Sequence, residues 1–129
     1  KVRMTGALLD QMQLCYGDSI AVLRIDESLL QKTKCLPNDM EGLVNMPLSA
    51  KSIQVVIMLR AEAARIRVSM RSKKNIDVRQ IAVSYGGGGH RNAAGFSTTM
   101  SQPELESELL TQIQQVLDSP TNLNSSSTV

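Results

Sequence analysis

Hydrophobic and polar positions run in several distinct rhythms along this chain. Residues 53–59, Ile-Gln-Val-Val-Ile-Met-Leu, are almost uninterrupted apolar sequence rich in β-branched side chains. That is the composition of a central strand covered on both faces. Over residues 64–71 the rhythm changes to strict alternation, with Ile66, Val68 and Met70 set against Arg67, Ser69 and Arg71. A period of two sends the first set to a core and displays the second on the opposite face, about 6.6 Å per two-residue step. The two runs predict a hairpin turning near Ala61-Glu62-Ala63. Ile20 to Ile25 reads as a further, largely buried strand, and Phe96 to Thr99 as a short one.

Helical spacing fills the rest. Leu8, Leu9, Met12 and Cys15 predict a helix within 4–15, broken at Gly17-Asp18. A helix over 28–34 is stopped by Pro37, and Asn38 caps another through Met40, Leu43 and Val44, with Glu41 at the capping-box position. Asp77 is an N-cap with Gln80 three residues on, ahead of an apolar stripe of Val78, Ile81, Ala82 and Tyr85. The last helix opens at Ser101-Gln102-Pro103-Glu104 and lays Leu105, Leu109, Ile113, Val116 and Leu117 along one face. Together these elements predict one compact α/β domain, with a mixed sheet of about four or five strands flanked by helices.

Composition narrows the class. The chain has 129 residues and 42% hydrophobic content, enough for one domain that buries roughly two-thirds of its unfolded surface. No tryptophan, one phenylalanine and two tyrosines make the core aliphatic and methionine-rich, and argue against an aromatic stacking platform for single strands. A net charge of +2 is too small for a broad nucleic-acid footprint, so anion binding should be local. Cys15 and Cys35 match neither a disulfide framework nor a zinc spacing. The absence of a long apolar run or a signal sequence sets the expectation of a cytoplasmic protein with no membrane association. A start inside a helix without methionine reads as an excised fragment. Residues 119–129, rich in Ser, Asn and Thr, read as a disordered tail.

Candidate chemistry concentrates at residues 85–95, Tyr-Gly-Gly-Gly-Gly-His-Arg-Asn-Ala-Ala-Gly, which contain the single histidine, His90. Four glycines weaken any regular element unless backbone amides must meet a ligand. With Arg91 to Ala94 read as the first turn of a short helix closed by Gly95, the run becomes a glycine loop entering a helix N-terminus, an anion site to which His90 and Arg91 add donors. The competing reading is a plain flexible turn between a helix and a strand. Arg67, Ser69 and Arg71 on one strand face, followed by Ser72, Lys73 and Lys74, offer phosphate contacts or else a solvated strand face. Asn92 is a candidate for a base or sugar contact or for local bonds. The aspartates are scattered, with no histidine beside them in sequence, so no metal centre is encoded in this stretch.

Gly-Gly-Gly-His followed by Ala-Ala-Gly resembles the signature of the DHH-associated domain, the C-terminal half of DHH-family phosphoesterases. Members include RecJ exonucleases, oligoribonuclease/pAp phosphatases and exopolyphosphatase-related proteins. The resemblance extends through Glu41-Gly42-Leu43-Val44-Asn45, Ser69-Met70-Arg71-Ser72-Lys73 and Asp77-Val78-Arg79-Gln80-Ile81-Ala82, over about residues 18–117. It implies the end of an interdomain helix over 1–17, a substrate-binding domain over 18–118 and the tail beyond. It also implies an N-terminal DHH catalytic domain as partner. That domain would carry Mn2+ or Mg2+, with no catalytic residue, metal or cofactor in this part. On this resemblance Arg71, Ser72, Gly87, Gly88, Gly89, His90 and Arg91 grip the phosphate end of a short oligonucleotide or a nucleotide such as pAp. Two alternatives stand beside it: a nucleic-acid-binding module like the related domain of alanyl-tRNA synthetases, and a non-catalytic dimerisation domain.

Overall fold

Strands β3 (Val55–Ala61) and β4 (Ile66–Ser72) form the hairpin that the two rhythms predict, with Val55 opposite Ser72 at one end and Ala61 opposite Ile66 at the other. These come from a computed structural model that describes residues 11–26 and 40–119. The turn closes through the Glu62 amide, which donates to the Arg65 carbonyl at 2.9 Å. On the outer side of β3 lies β2 (Ile20–Ile25), parallel to it. A parallel neighbour needs a crossover, and the crossover contains helix α1 (Met40–Asn45), followed by a 3-10 turn (Met46–Ser49). Beyond β4 lies β6 (Ala93–Thr98), antiparallel to it, and at the far edge β5 (Gly88–His90). With β1 (Gln13–Cys15) antiparallel on β2, the six strands are ordered β1-β2-β3-β4-β6-β5.

Helices α2 (Arg79–Ser84) and α3 (Gln102–Leu117) cover one face of this sheet. Leu105, Leu109 and Ile113 of α3 are buried with Val22, Ile57, Val68, Met70 and Phe96 of the strands. On the other face Leu43 and Val44 of α1 pack over Ala21, Leu23, Val56 and Met58. That second apolar cluster contains no residue of β4, β6 or β5. Among the described residues this face opens toward β5 and β6, where Arg67 and His90 are exposed, while α1 reaches as far as β4.

Two expectations need correction. Residues 13–15 are an edge strand and not the end of a helix. A hairpin turn at Tyr16, Gly17 and Asp18, all left-handed (φ 54°, 66° and 62°), folds them back on β2. The remainder of the 4–15 helix other than residues 11–15, the 28–34 helix and the Asn38 cap lie outside the described residues. The other correction concerns Ala93 and Ala94, which belong to β6 and not to a helix. Both extra strands, β1 and β5, are only three residues long.

Polar ties hold the layers together. Arg24 on β2 makes a two-pronged bond to Glu106 on α3, Nε to Oε2 at 2.9 Å and Nη2 to Oε1 at 2.5 Å, and also reaches Gln13 on β1. The bond from Arg24 holds the Glu106 carboxyl below the usual range against the opposing effect of burial, with help from Gln102. Tyr85 stacks on Phe96 at 4.5 Å between ring centres, and its hydroxyl donates to Glu108 while accepting from Gln112. Burial first, and the bond to Glu108 second, push its phenol up to about 12. Asp77 caps α2 as predicted, its Oδ1 accepting from the Arg79 and Gln80 amides.

Candidate functional site

Because β4 alternates, Ile66, Val68, Met70 and Ser72 share the helix-covered side, and Arg67, Ser69 and Arg71 share the other. Register extends this side across the sheet. Arg71 lies opposite Ala93, and Ala93 opposite His90; Ser69 lies opposite Gly95, and Gly95 opposite Gly88; Arg67 lies between Arg60 and Ser97. Three rows on one face thus carry three arginines, a histidine and two bare glycine backbones.

Each glycine in the run answers to a different constraint. Gly86 and Gly89 have φ of +86° and +134°, where other residues are strained. A Cβ on Gly87 would stand 2.2 Å from the Gly95 carbonyl oxygen and 2.5 Å from Phe96 Cβ. On Gly89 it would stand 2.6 Å from Ala93 O and Ala94 Cα. These glycines let β5 lie flush on β6. Gly88 differs: its φ is unexceptional, and a Cβ there would meet nothing within 4 Å. Neither backbone conformation nor packing requires glycine at that position.

The run is therefore a strand followed by a hairpin turn, not a loop entering a helix, and the helix-dipole anion site predicted from the sequence does not form. Arg91 and Asn92 are the turn. Their carbonyls are taken by the Val78 and Ser72 amides at 2.9 and 3.1 Å, which fixes the turn against β4 and α2. What the geometry offers a ligand instead is an edge strand, whose outward backbone groups are unpaired with β6.

Of the sequence-predicted contacts, Arg71, Gly88 and His90 share the open face; Gly87 and Gly89 line its edge strand, and Arg91 projects from the exposed turn. His90 and Arg91 have no side-chain hydrogen bond among the described residues. Arg71 donates to the Met70 carbonyl at 2.9 Å. Ser72 is different. It is buried on the helix side, donates to Ile76 O at 2.6 Å, and accepts from Asn92 Nδ2 at 3.1 Å. Adjacent strand residues point to opposite faces, so Arg71 and Ser72 cannot form one contact pair, and Ser72 secures the turn. Asn92 is likewise spent on Ser72, Lys74 O and Ile76 O, and Lys73 Nζ on Ala50 O.

Sequence reasoning missed Arg60. It ends an apolar strand, and only register sets it opposite Arg67. Its Nε is buried without a hydrogen-bond partner among the described residues, and its Nη2 is 3.4 Å from Glu62. Like charges facing across a ladder repel, and the Arg67 head lies over Gly95, with Nη2 3.0 Å from where a Cβ would be. A separate groove of about 520 Å³ between α2 and α3, bordered by Gln80, Ser84 and Gln112, is lined by no basic side chain and lies on the far side of the sheet. Among the described residues no group of three or more His, Cys, Asp and Glu side chains could hold a metal. No described helix is long and apolar enough to cross a membrane.

A six-stranded mixed sheet with a glycine-built edge and a half-open basic face defines the class of this domain. Residues 17–119 match the DHHA1 domain, and the chain belongs to that family. Among solved structures it is similar to an exopolyphosphatase-related protein from Bacteroides fragilis, at 26% identity and a TM-score of 0.79, covering 88% of this chain and 34% of that one. A pGpG-specific phosphodiesterase from Vibrio cholerae shares the fold at 13% identity and a TM-score of 0.59, over 86% of this chain and 37% of that one. The C-Ala domain of alanyl-tRNA synthetase from Aquifex aeolicus does so at 16% and 0.55, over 73% and 88%. The chain thus spans about a third of the length of the first two. No curated protein matches it in sequence.

Proposed function

We propose that this domain holds the phosphate-bearing end of a nucleotide or short oligonucleotide, and presents it to a metal-dependent DHH phosphoesterase domain N-terminal to it. One observation carries the reading. The second apolar cluster includes no residue of β4, β6 or β5, and on that side of those strands Arg67, Arg71 and His90 stand on one face beside a glycine, Gly88, that the fold does not require. Glycine without a structural need suits close approach of a ligand to backbone. The Arg71 guanidinium supplies a planar fork for phosphate oxygens, His90 a ring N–H, Arg91 a flanking charge, and the β5 edge backbone of Gly87, Gly88 and Gly89 further donors.

Chemistry is divided accordingly. In this reading Mn2+ or Mg2+ is held by the DHH domain, where it would activate water and stabilise charge at phosphorus. This domain contributes position: fixing one end of the substrate lowers the entropic cost of bringing the scissile phosphate to the metals. The family membership supports an accessory role of this kind, and the names of the two phosphoesterase-type neighbours agree with it.

The test is calorimetric titration with a diribonucleotide carrying a 5′-phosphate and the same dinucleotide with a 5′-hydroxyl. The phosphorylated ligand binds more tightly, and Arg71→Ala and His90→Ala each remove most of that preference. Equal binding of both ligands would refute phosphate recognition. Tight, steeply salt-dependent binding of long RNA alone would favour a synthetase-type nucleic-acid module.

A further inference from the structure

Between the Arg71–Ala93–His90 row and Arg67 lies the Ser69–Gly95–Gly88 row, in which two neighbouring strands present bare backbone. Gly95 has a reason within the chain: a Cβ there would meet Val68 O at 2.6 Å and the Arg67 head at 3.0 to 3.4 Å. The exposed Arg67 side chain thus lays its guanidinium head over Gly95. It has no hydrogen-bond partner among the described residues. Gly88, the other bare position, has only open space above it. The result is a trough floored by the bare Gly88 backbone and bordered by the guanidinium over Gly95, one two-residue step, about 6.8 Å, from the Arg71–His90 row.

We propose that this trough seats the nucleobase of the bound nucleotide, with the Arg67 guanidinium as the cation on which it packs. The inference rests on the reading above, in which the phosphate sits at Arg71 and His90. A bare peptide floor suits the face of a flat ring, and the step to the phosphate row leaves room for a pentose. Single-stranded bases stack on aromatic rings or on guanidinium planes. The described aromatic residues are elsewhere: Tyr85 and Phe96 pack together on the helix-covered side, and Tyr16 lies in the β1–β2 turn. Arg67 is thus the side chain positioned to supply that platform, which makes it a specificity residue and not another phosphate contact.

Titration of the 129-residue chain with adenosine 5′-monophosphate and with ribose 5-phosphate separates the two roles. Wild type binds the base-bearing ligand more tightly, by about fivefold for a partly exposed cation–π contact. Arg67→Lys keeps the charge but loses the plane, so the preference falls below about twofold while affinity for ribose 5-phosphate is unchanged. Equal weakening of both ligands by Arg67→Lys makes Arg67 a phosphate contact and overturns the proposal. So does a wild type that binds both ligands alike, which would leave phosphate recognition standing. If neither ligand binds, the phosphate reading fails and this proposal fails with it.

Discussion

Gly88→Ala separates a glycine kept for a ligand from glycines kept for the fold. The added methyl group would meet no heavy atom within 4 Å, and the backbone there is not left-handed. Replacing glycine by alanine at a compatible site stabilises by about 0.4 to 1 kcal/mol, chiefly by restricting the unfolded chain. For a domain of this size that corresponds to a Tm higher by about 2 to 6 °C. Gly87→Ala is the control. Its Cβ would lie 2.2 Å from a carbonyl oxygen and 2.9 Å from a backbone carbon of β6, contacts that only strand separation relieves, at about 2 kcal/mol or more. Thermal unfolding followed by circular dichroism reads both variants, and titration with a 5′-phosphorylated diribonucleotide reads the face. The methyl group stands over the floor of the trough, so Gly88→Ala should be at least as stable as wild type yet bind at least about tenfold more weakly. Unchanged binding would refute the ligand reading of Gly88. A loss of stability matching that of Gly87→Ala would refute the packing argument.

Ser72→Ala should cost about 1 to 3 kcal/mol, because it strips the buried partners Ile76 O and Asn92 Nδ2 of their bond, while leaving any phosphate preference intact; urea titration and ligand titration check the two halves. Glu106→Gln should lower stability by about 1 kcal/mol near neutral pH. Since Arg24 holds the Glu106 carboxyl low, its contribution is present above the unfolded carboxylate range and disappears as pH falls through the folded value. The variant should therefore lose less on acidification in a pH series of unfolding curves. Tyr85 runs the other way. A folded phenol raised to about 12 contributes stability that is complete below the unfolded value and is lost as pH climbs toward 12, so Tyr85→Phe should flatten the alkaline limb of the same series.

Much of the architecture is legible in the residues. The switch from continuous to alternating apolar sequence at residues 53–71 marks a buried strand paired with a half-exposed one, and both arginines of β4 emerge on the face that the alternation predicts. The α3 boundaries follow from Pro103 and the leucine spacing, although the Ser101 side chain makes no capping bond. Where the reading fails, the cause is contact between distant segments. Ala93-Ala94 after a glycine run suggests a helix because alanine is the best helix former. The segment is a strand because Gly87 and Gly89 allow β5 to lie against it, and because β4 and α2 take the turn carbonyls. Ser72 was within reach of the alternation rule, since its neighbour Arg71 already occupied the open face. Arg60 was not, because nothing before the register reveals that it stands opposite Arg67. Strand β1 is too short to show a period, and its turn depends on left-handed conformations at Tyr16 and Asp18 that few non-glycine residues adopt.

The most direct test of the central claim is a map of backbone amide shifts as the isotope-labelled chain is titrated with pAp and with a 5′-phosphorylated diribonucleotide. The account predicts shifts that cluster at Arg67 to Arg71, Gly87 to Arg91 and Ala93 to Gly95, the rows of the open face, and that weaken in His90→Ala. Shifts confined to the groove between α2 and α3, or none at millimolar ligand, would contradict it.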